Sequence, residues 1–284
     1  MSPRVKAPED NEGYPSIPTL RGPRYSQSVE RGLAILECFS PQHPVLGIAE
    51  IADELGMSRS TTHRYVITLV ALDFMEQVAN RKYRLGLRVT DLGMSALNST
   101  GLREHAHLNL EELRKRTTFT TSLAVLDGAE IVYVDRVRSL RRGQSKIDLN
   151  VRLGSRLPAY CTAMGKVLLA GLPEPERQEI ISQIKLEKRG PHTITSKKAL
   201  LAELDHVSEE GIAVDDEEFV LGLVGIAAPV RDEGRDVAAA IDLAAHIDMI
   251  ALPDLVGQLQ PHLLTTADQI SARLGYRRED EVGQ

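Results

Sequence analysis

Apolar residues recur along this chain at two spacings, and the points where the spacing changes mark out its elements. Val29, Leu33, Leu36 and Phe39 share one face of a helix that Ser26 or Ser28 can cap and that Pro41 and Pro44 end. Ile48, Ile51, Ala52 and Leu55 predict a second helix from about Gly47, stopped at Gly56. Ser58 caps a third, with Thr62, Val66, Leu69 and Val70 as its buried stripe. Two short strands, Phe74–Val78 and Lys82–Leu85, are joined by a turn through Ala79, Asn80 and Arg81. Helix, helix, short turn, helix and hairpin is the order of a winged helix-turn-helix, and Gly56-Met57-Ser58 supplies the glycine expected in its turn.

Helical spacing returns from Leu87 to about Thr117 in two stripes, Val89, Leu92, Ala96 and Leu97, then Leu102, Ala106, Leu110 and Leu113, interrupted near Gly101. The first reads as a linker helix whose apolar stripe suits pairing with a second subunit, and the second opens a new domain. Beyond it strands and helices alternate. Ser122–Leu126 and Ile131–Val137 flank Asp127-Gly128, a strong hairpin signal, and Ile147–Val151 is a further strand. Thr162 caps a helix Ala163–Ala170, Pro175–Ile184 is helical, and Ser196 caps a helix ending at Gly211. Val224–Val230 and Val237–Ala244 bracket the turn Asp232-Glu233-Gly234, and a last helix, Leu255–Leu274, is kinked by Pro261 and stopped by Gly275. Hairpin-linked strands with peripheral helices predict an α+β domain around a largely antiparallel sheet. The layout is a tail over 1–24, the winged unit over 25–87, a linker helix over 88–101, a second domain over 102–275 and a tail over 276–284.

The 284 residues suit two domains, and a net charge of −6 excludes a uniformly basic nucleic-acid coat. A local basic surface remains: Met57–Thr90 holds six basic residues against two acidic. The apolar run Phe219–Val230 carries two glycines and a proline and is too short to cross a bilayer as a helix, so no membrane partner is expected. Met1–Gly22 has no apolar centre, which argues against a signal peptide. Cys38 and Cys161 form no C-x-x-C motif and read as reduced thiols of a cytoplasmic protein.

Four groups of residues carry candidate chemistry. With the third helix's stripe buried, Arg59, Ser60, Thr61, His63, Arg64 and Ile67 project outward behind the Ser58 cap, a set suited to base edges and phosphates in a major groove of double-stranded DNA. Arg81 and Lys82 occupy the hairpin tip, where a wing reaches phosphates or a minor groove. A second signal is the loop Leu157 to Val167: Tyr160, Cys161 and Thr162 lead into the small residues Ala163 and Gly165 at a helix start, an arrangement that favours a carboxylate, with Arg152 and Arg156 upstream to supply charge. The same small residues also serve tight packing. The run Asp215-Asp216-Glu217-Glu218 reads as acid-base chemistry, a divalent-metal site or a solvated turn, and the absence of any His-x-x-His, Cys-x-x-Cys or Glu-x-x-His spacing argues against metal. Asp242 interrupts an apolar strand and needs a partner if buried. The alternative to a ligand-responsive DNA binder is a small-molecule enzyme with a DNA-binding appendage, using Cys161 or the 215–218 carboxylates.

Ser28-Val29-Glu30-Arg31-Gly32-Leu33-Ala34-Ile35-Leu36, Leu55-Gly56-Met57-Ser58-Arg59-Ser60-Thr61-Thr62-His63-Arg64 and Tyr83-Arg84-Leu85-Gly86 together resemble the DNA-binding half of IclR-type transcriptional regulators. Tyr160 to Ala170 and Gly211 to Val230 resemble the two signatures of that family's effector-binding half, so the resemblance spans about Tyr25 to Gly275. It implies a winged helix-turn-helix joined by a linker helix to a GAF-like effector domain, no cofactor, no catalysis, and homodimers that pair into a dimer of dimers on an operator. By position it assigns Ala163, Gly165, Asp215, Glu217, Gly225 and Ile226, with Asp242, to a pocket for a small organic acid. Leu157 to Gly165 and Asp127 to Val134 are nearest the branch that controls aromatic-acid catabolism through the β-ketoadipate pathway. Cys161 and Ala163 depart from that branch's usual residues, which implies a different effector.

Overall fold

A computed structural model describes residues 26–98, 101–139 and 151–277. The expected tail 1–24, all but two residues of the tail 276–284, and the expected strand Ile147–Val151 apart from Val151 lie outside the described residues; Val151 itself is in no strand. The chain divides into two compact units, 1–99 and 100–284.

In the first unit, α1 (Gln27–Glu37), α2 (Ile48–Glu54) and α3 (Arg59–Ala71) are followed by a small antiparallel sheet of β1 (Leu46–Gly47), β2 (Met75–Val78) and β3 (Lys82–Leu85) in the order β1-β3-β2, and then by α4 (Arg88–Asn98). The core gathers Ile35, Cys38, Phe39, Leu46, Ile51, Val66, Met75 and Tyr83. The expected face of α1 is corrected here. Ile35, Cys38 and Phe39 turn inward, while Val29 and Leu33 stay 61% and 51% exposed. Val29 and Leu33 are four apart, one turn along a stripe of their own that the core of this unit does not cover. Leu69 and Val70 of α3 are half-buried, packed at the edge of the core.

The second unit is a six-stranded sheet in the order β6-β5-β4-β9-β8-β7, antiparallel throughout: β4 (Thr120–Asp127), β5 (Glu130–Val137), β6 (Arg156–Pro158), β7 (Ala213–Asp216), β8 (Leu223–Arg231) and β9 (Val237–His246). The two short edge strands, β6 and β7, escape the sequence reading because each is too brief to show a period. Gly101, at φ 64°, separates α4 from α5 (Leu102–Thr117), whose expected stripe Leu102, Ala106, Leu110 and Leu113 is buried. Helices α5 and α9 (Leu252–Arg273) cover one face of the sheet, and Pro261 lies inside α9, which runs on past it. The other face is covered by α6 (Ala163–Ala170), capped by Thr162, with α7 (Glu174–Gln183) and α8 (Lys197–Glu210) outside it.

An exposed basic helix and a buried polar sheet face

The Ser58 Oγ accepts the Thr61 amide at 3.2 Å, and Thr62 Oγ1 donates to the Ser58 carbonyl at 3.1 Å, so the start of α3 is fixed. Thr62 and Val66 are fully buried and hold the helix down. Arg59, Ser60, His63 and Arg64 are exposed, with Ile67, while Thr61 is half-buried and receives the Ser58 hydroxyl at 2.8 Å. At the wing tip Asn80 and Arg81 adopt left-handed φ values of 60° and 56°, which tightens the turn and leaves Arg81 exposed. Lys82 is engaged: its ammonium lies 3.4 Å from Glu50, whose other oxygen accepts the Gly47 amide at 2.6 Å and so caps α2. Arg84 pairs with Glu76 at 2.7 Å, and Arg88 donates to the Leu72 carbonyl while lying over the Phe74 ring. Among the described residues no ion pair holds Arg59, Arg64 or Arg81.

The second site is built from strand register. Asp242 on β9 pairs with Ser122 on β4 and Ala227 on β8; Ser122 pairs in turn with Arg136 on β5, and Ala227 with Ala213 on β7. One row further along the same face, Asp215 stands opposite Gly225, and Gly225 opposite Ala244. This is the face covered by α6, since Ala124, Ala213, Ala227 and Ala240 share its core cluster with Cys161, Ala163 and Tyr133. A bulge between Leu123 and Ala124 decides who points there: it turns Arg136 toward the α6 face and sends Asp135 to the α5 face, where it meets His107 at 2.6 Å.

Burial governs the chemistry of this face. Desolvation raises the Asp242 carboxyl to about 6 against the pull of Ser122 and Arg136. Its Oδ1 is buried with no hydrogen-bond partner, as is Arg136 Nε, although Arg136 Nη1 donates to the Val151 carbonyl at 2.8 Å. Asp215 is raised to about 8 by desolvation, with the Glu218 charge adding to the rise, while its Oδ1 accepts the Glu218 amide at 2.9 Å. Glu218 turns inward to Lys166, itself 1% exposed and also bonded to Glu203 at 2.9 Å. Burial works against the Lys166 charge, yet Glu218 and Glu203 outweigh it and hold the ammonium above its ordinary value. Cys161 is fully buried, and burial together with Asp215 pushes its thiol to about 12, so it is no thiolate nucleophile at neutral pH.

Of the residues assigned to an effector, Cys161, Ala163, Asp215, Gly225 and Asp242 come together on or beside this face. Thr162 and Gly165 serve the helix start: Thr162 Oγ1 accepts the Gly165 amide at 3.2 Å, and a β-carbon at Gly165 would overlap the Ala159 backbone. Tyr160 bonds to both backbone groups of Glu187. Three residues stand elsewhere. Ile226 pairs with Leu243, one residue out of step with Asp242, and faces the opposite side of the sheet. Arg156 is neutralised by Asp127 and Glu130 at the sheet edge. Glu217, half-buried at φ 53°, closes a turn by accepting the Gly222 amide at 2.7 Å, beside the half-buried Asp216 and the exposed His192, which pair at 3.1 Å. Arg136, Ser122 and Tyr133 also lie on this face and were missed, while Glu218, read only as part of the acidic run, turns inward beside it. Arg136 lies within a predicted strand, but period two counted from Tyr133 points it the wrong way.

An exposed basic helix in a helix-turn-helix unit and a buried polar sheet face in a separate unit fit the class of DNA-binding regulators with an effector domain. Residues 28–79 match the IclR helix-turn-helix domain and residues 94–272 the C-terminal domain of the bacterial transcriptional regulator IclR. The chain is 36% identical over 254 residues to the HTH-type transcriptional regulator XynR of Escherichia coli K12, covering 88% of this chain and 98% of the relative. It is 30% identical over 252 residues to the Pca regulon regulatory protein of Pseudomonas putida, covering 89% and 85%. A crystal structure of an IclR homolog from Microbacterium hydrocarbonoxydans complexed with 4-hydroxybenzoate superposes with a TM-score of 0.76 at 27% identity, over 87% of this chain and 98% of that one. The protein belongs to the IclR family of bacterial transcriptional regulators; it is a regulator and not an enzyme. Among the described residues no helix is long and apolar enough to cross a membrane.

Proposed function

We propose that the protein is a cytoplasmic regulator of aromatic-acid catabolism genes, binding double-stranded operator DNA through Arg59, Ser60, His63 and Arg64 and answering to a small carboxylate held on the α6 face of the second unit. In this reading residues 25–87 are the DNA-binding domain, 88–101 the linker helix and 102–275 the effector domain. The observation that carries the effector assignment is the pair of buried, unpartnered polar atoms, Asp242 Oδ1 and Arg136 Nε, on one sheet face. Each costs the folded protein about 1–3 kcal/mol, which a bound polar molecule would offset. The complex of the Microbacterium homolog with 4-hydroxybenzoate supports an aromatic acid.

Two identical reading helices call for a homodimer on a near-palindromic site, with a dimer of dimers as the larger assembly. Exposed apolar side chains on the first unit support self-association: Val29 and Leu33 on α1, Leu87, and Leu92 on α4. The signal has a short route. Asp135, beside Arg136, accepts the Arg136 amide at 2.8 Å and pairs with His107 and Arg103 of α5, the helix that follows the linker in the chain. The test is a thermal-shift screen of aromatic acids and their ring-cleavage products. An acid at 100 times its Kd adds roughly 2.7 kcal/mol of stability, and a screen in which no acid raises the melting temperature overturns the reading.

A further inference from the structure

The reading helix ends in a joint made by residues outside the DNA-binding set. After α3, Asp73 takes a left-handed φ of 62°, and the amides of Asp73 and Phe74 turn back to the Val70 and Leu69 carbonyls at 3.0 and 2.9 Å, which closes the last turn of the helix. The Leu72 carbonyl, just past that turn, receives Arg88, the first residue of α4: Nη1 donates to it at 2.8 Å while the guanidinium lies 5.0 Å from the centre of the Phe74 ring. Gly86 donates its amide to the Phe74 carbonyl at 2.8 Å, and a β-carbon there would overlap the Asp73 carbonyl oxygen. The end of α3 and the start of α4 are thus fastened together across the wing that separates them in the chain. Beyond this first turn burial does not fix the course of α4, since among its described residues none is buried.

We infer that Arg88 is a positioning residue for operator recognition: it sets the angle between the reading helix and the linker helix, and through that angle the half-site spacing the protein accepts. The inference rests on the homodimer proposed above, in which two α4 helices pair through their apolar stripe and each carries one α3. Arg59 lies at the other end of the 13-residue α3, about 20 Å from Leu72, so a swing of about 20° at the joint displaces it by roughly 7 Å, two base-pair steps. Spacing is therefore sensitive to this joint, whereas base preference, which resides on the outward face of α3, is not. The tie needs a planar donor that bonds a carbonyl and covers a ring at once, which a flexible apolar chain does not reproduce.

The experiment selects binding sites from random duplexes with the full chain and with Arg88→Met, which keeps most of the side chain's length and removes its donors. Affinities for the enriched site and for an isolated half-site are then measured. The parent is expected to enrich two inverted half-sites at a single spacing. Arg88→Met is expected to enrich the same half-sites over several spacings, to bind the parent's site several-fold more weakly, and to bind the isolated half-site as the parent does. A single spacing, unchanged from the parent's, overturns the role of Arg88. Weaker binding of the isolated half-site, with the slope of log affinity against log salt lowered by about one, makes Arg88 a phosphate contact and overturns it equally. Loss of the half-site sequence itself means that Arg88 holds α3 in place rather than its angle to α4, with the same consequence. Gly86→Ala, whose β-carbon must push the joint open, is expected to move the preferred spacing; a spacing identical to the parent's overturns the joint as its determinant. A parent that enriches only unpaired half-sites overturns the homodimer, and the spacing role falls with it while the base preference of α3 stands.

Discussion

The reading helix α3 and the α6 face of the sheet differ in how they hold their polar groups. On α3 the outward side chains Arg59, Ser60, His63 and Arg64 are exposed to solvent, while the buried Thr62 and Val66, with Leu69 and Val70 at the core edge, hold the helix down. On the sheet face, Asp242 Oδ1 and Arg136 Nε are buried without a hydrogen-bond partner, a cost to the folded chain. The first surface costs little when idle and is suited to a large polyanion that supplies its own charge. The second carries that cost in its core, and in the function proposed above a small polar ligand would offset it. Retained instability of this kind is a mark of a functional site.

The largest effect that sharpens the contrast comes from Gly165. Its glycine is demanded by the Ala159 backbone packed against it, so Gly165→Val destabilises the second unit by at least about 3 kcal/mol, read as loss of its unfolding transition in calorimetry. A variant that folds normally would place the loop and α6 farther apart than they stand.

Asp242→Asn breaks the contrast from the other side. Its carboxyl is raised from 3.8 to about 6, so the folded protein holds a proton through a range where the unfolded chain has lost it. Stability therefore falls as pH rises from about 4 through 6. Without ligand, the asparagine variant is more stable than the parent by roughly 3 kcal/mol at pH 8 and no more stable at pH 4. Urea titrations at the two pH values check this; an equal effect at both removes the titrating carboxyl from the explanation.

The smallest effect lies at the wing. Lys82→Gln lowers the slope of log affinity against log salt by about one if its ammonium leaves Glu50 for a phosphate. An unchanged slope leaves Lys82 as a partner of Glu50 only.

The same contrast explains what could be read in advance. Everything α3 does is local: the Ser58 cap, the stripe and the outward residues lie within one stretch whose period is visible, as are the hairpin and the glycine of the turn. The sheet face is assembled from β4, β5, β7, β8 and β9, and its membership depends on register. The bulge at Leu123 and Ala124 swaps the directions of Asp135 and Arg136, and nothing in the spacing of β5 announces it. Asp242 was legible as a charge interrupting an apolar strand, and Asp215 only as one member of an acidic run. Gly225 and Ile226 were taken together by family position, although neighbours on one strand face opposite ways. Glu217 and Glu218 exchanged roles because the left-handed turn at Glu217 sends the next side chain inward.

The central claim, that the outward face of α3 reads sequence, is tested most directly by selecting binding sites from random duplexes with the parent protein and with Arg59→Ala/Arg64→Ala. The parent is expected to enrich a near-palindromic site. The variant is expected to lose preference at the bases those guanidiniums meet, each worth about 1–3 kcal/mol. The same enriched site from both proteins contradicts the account.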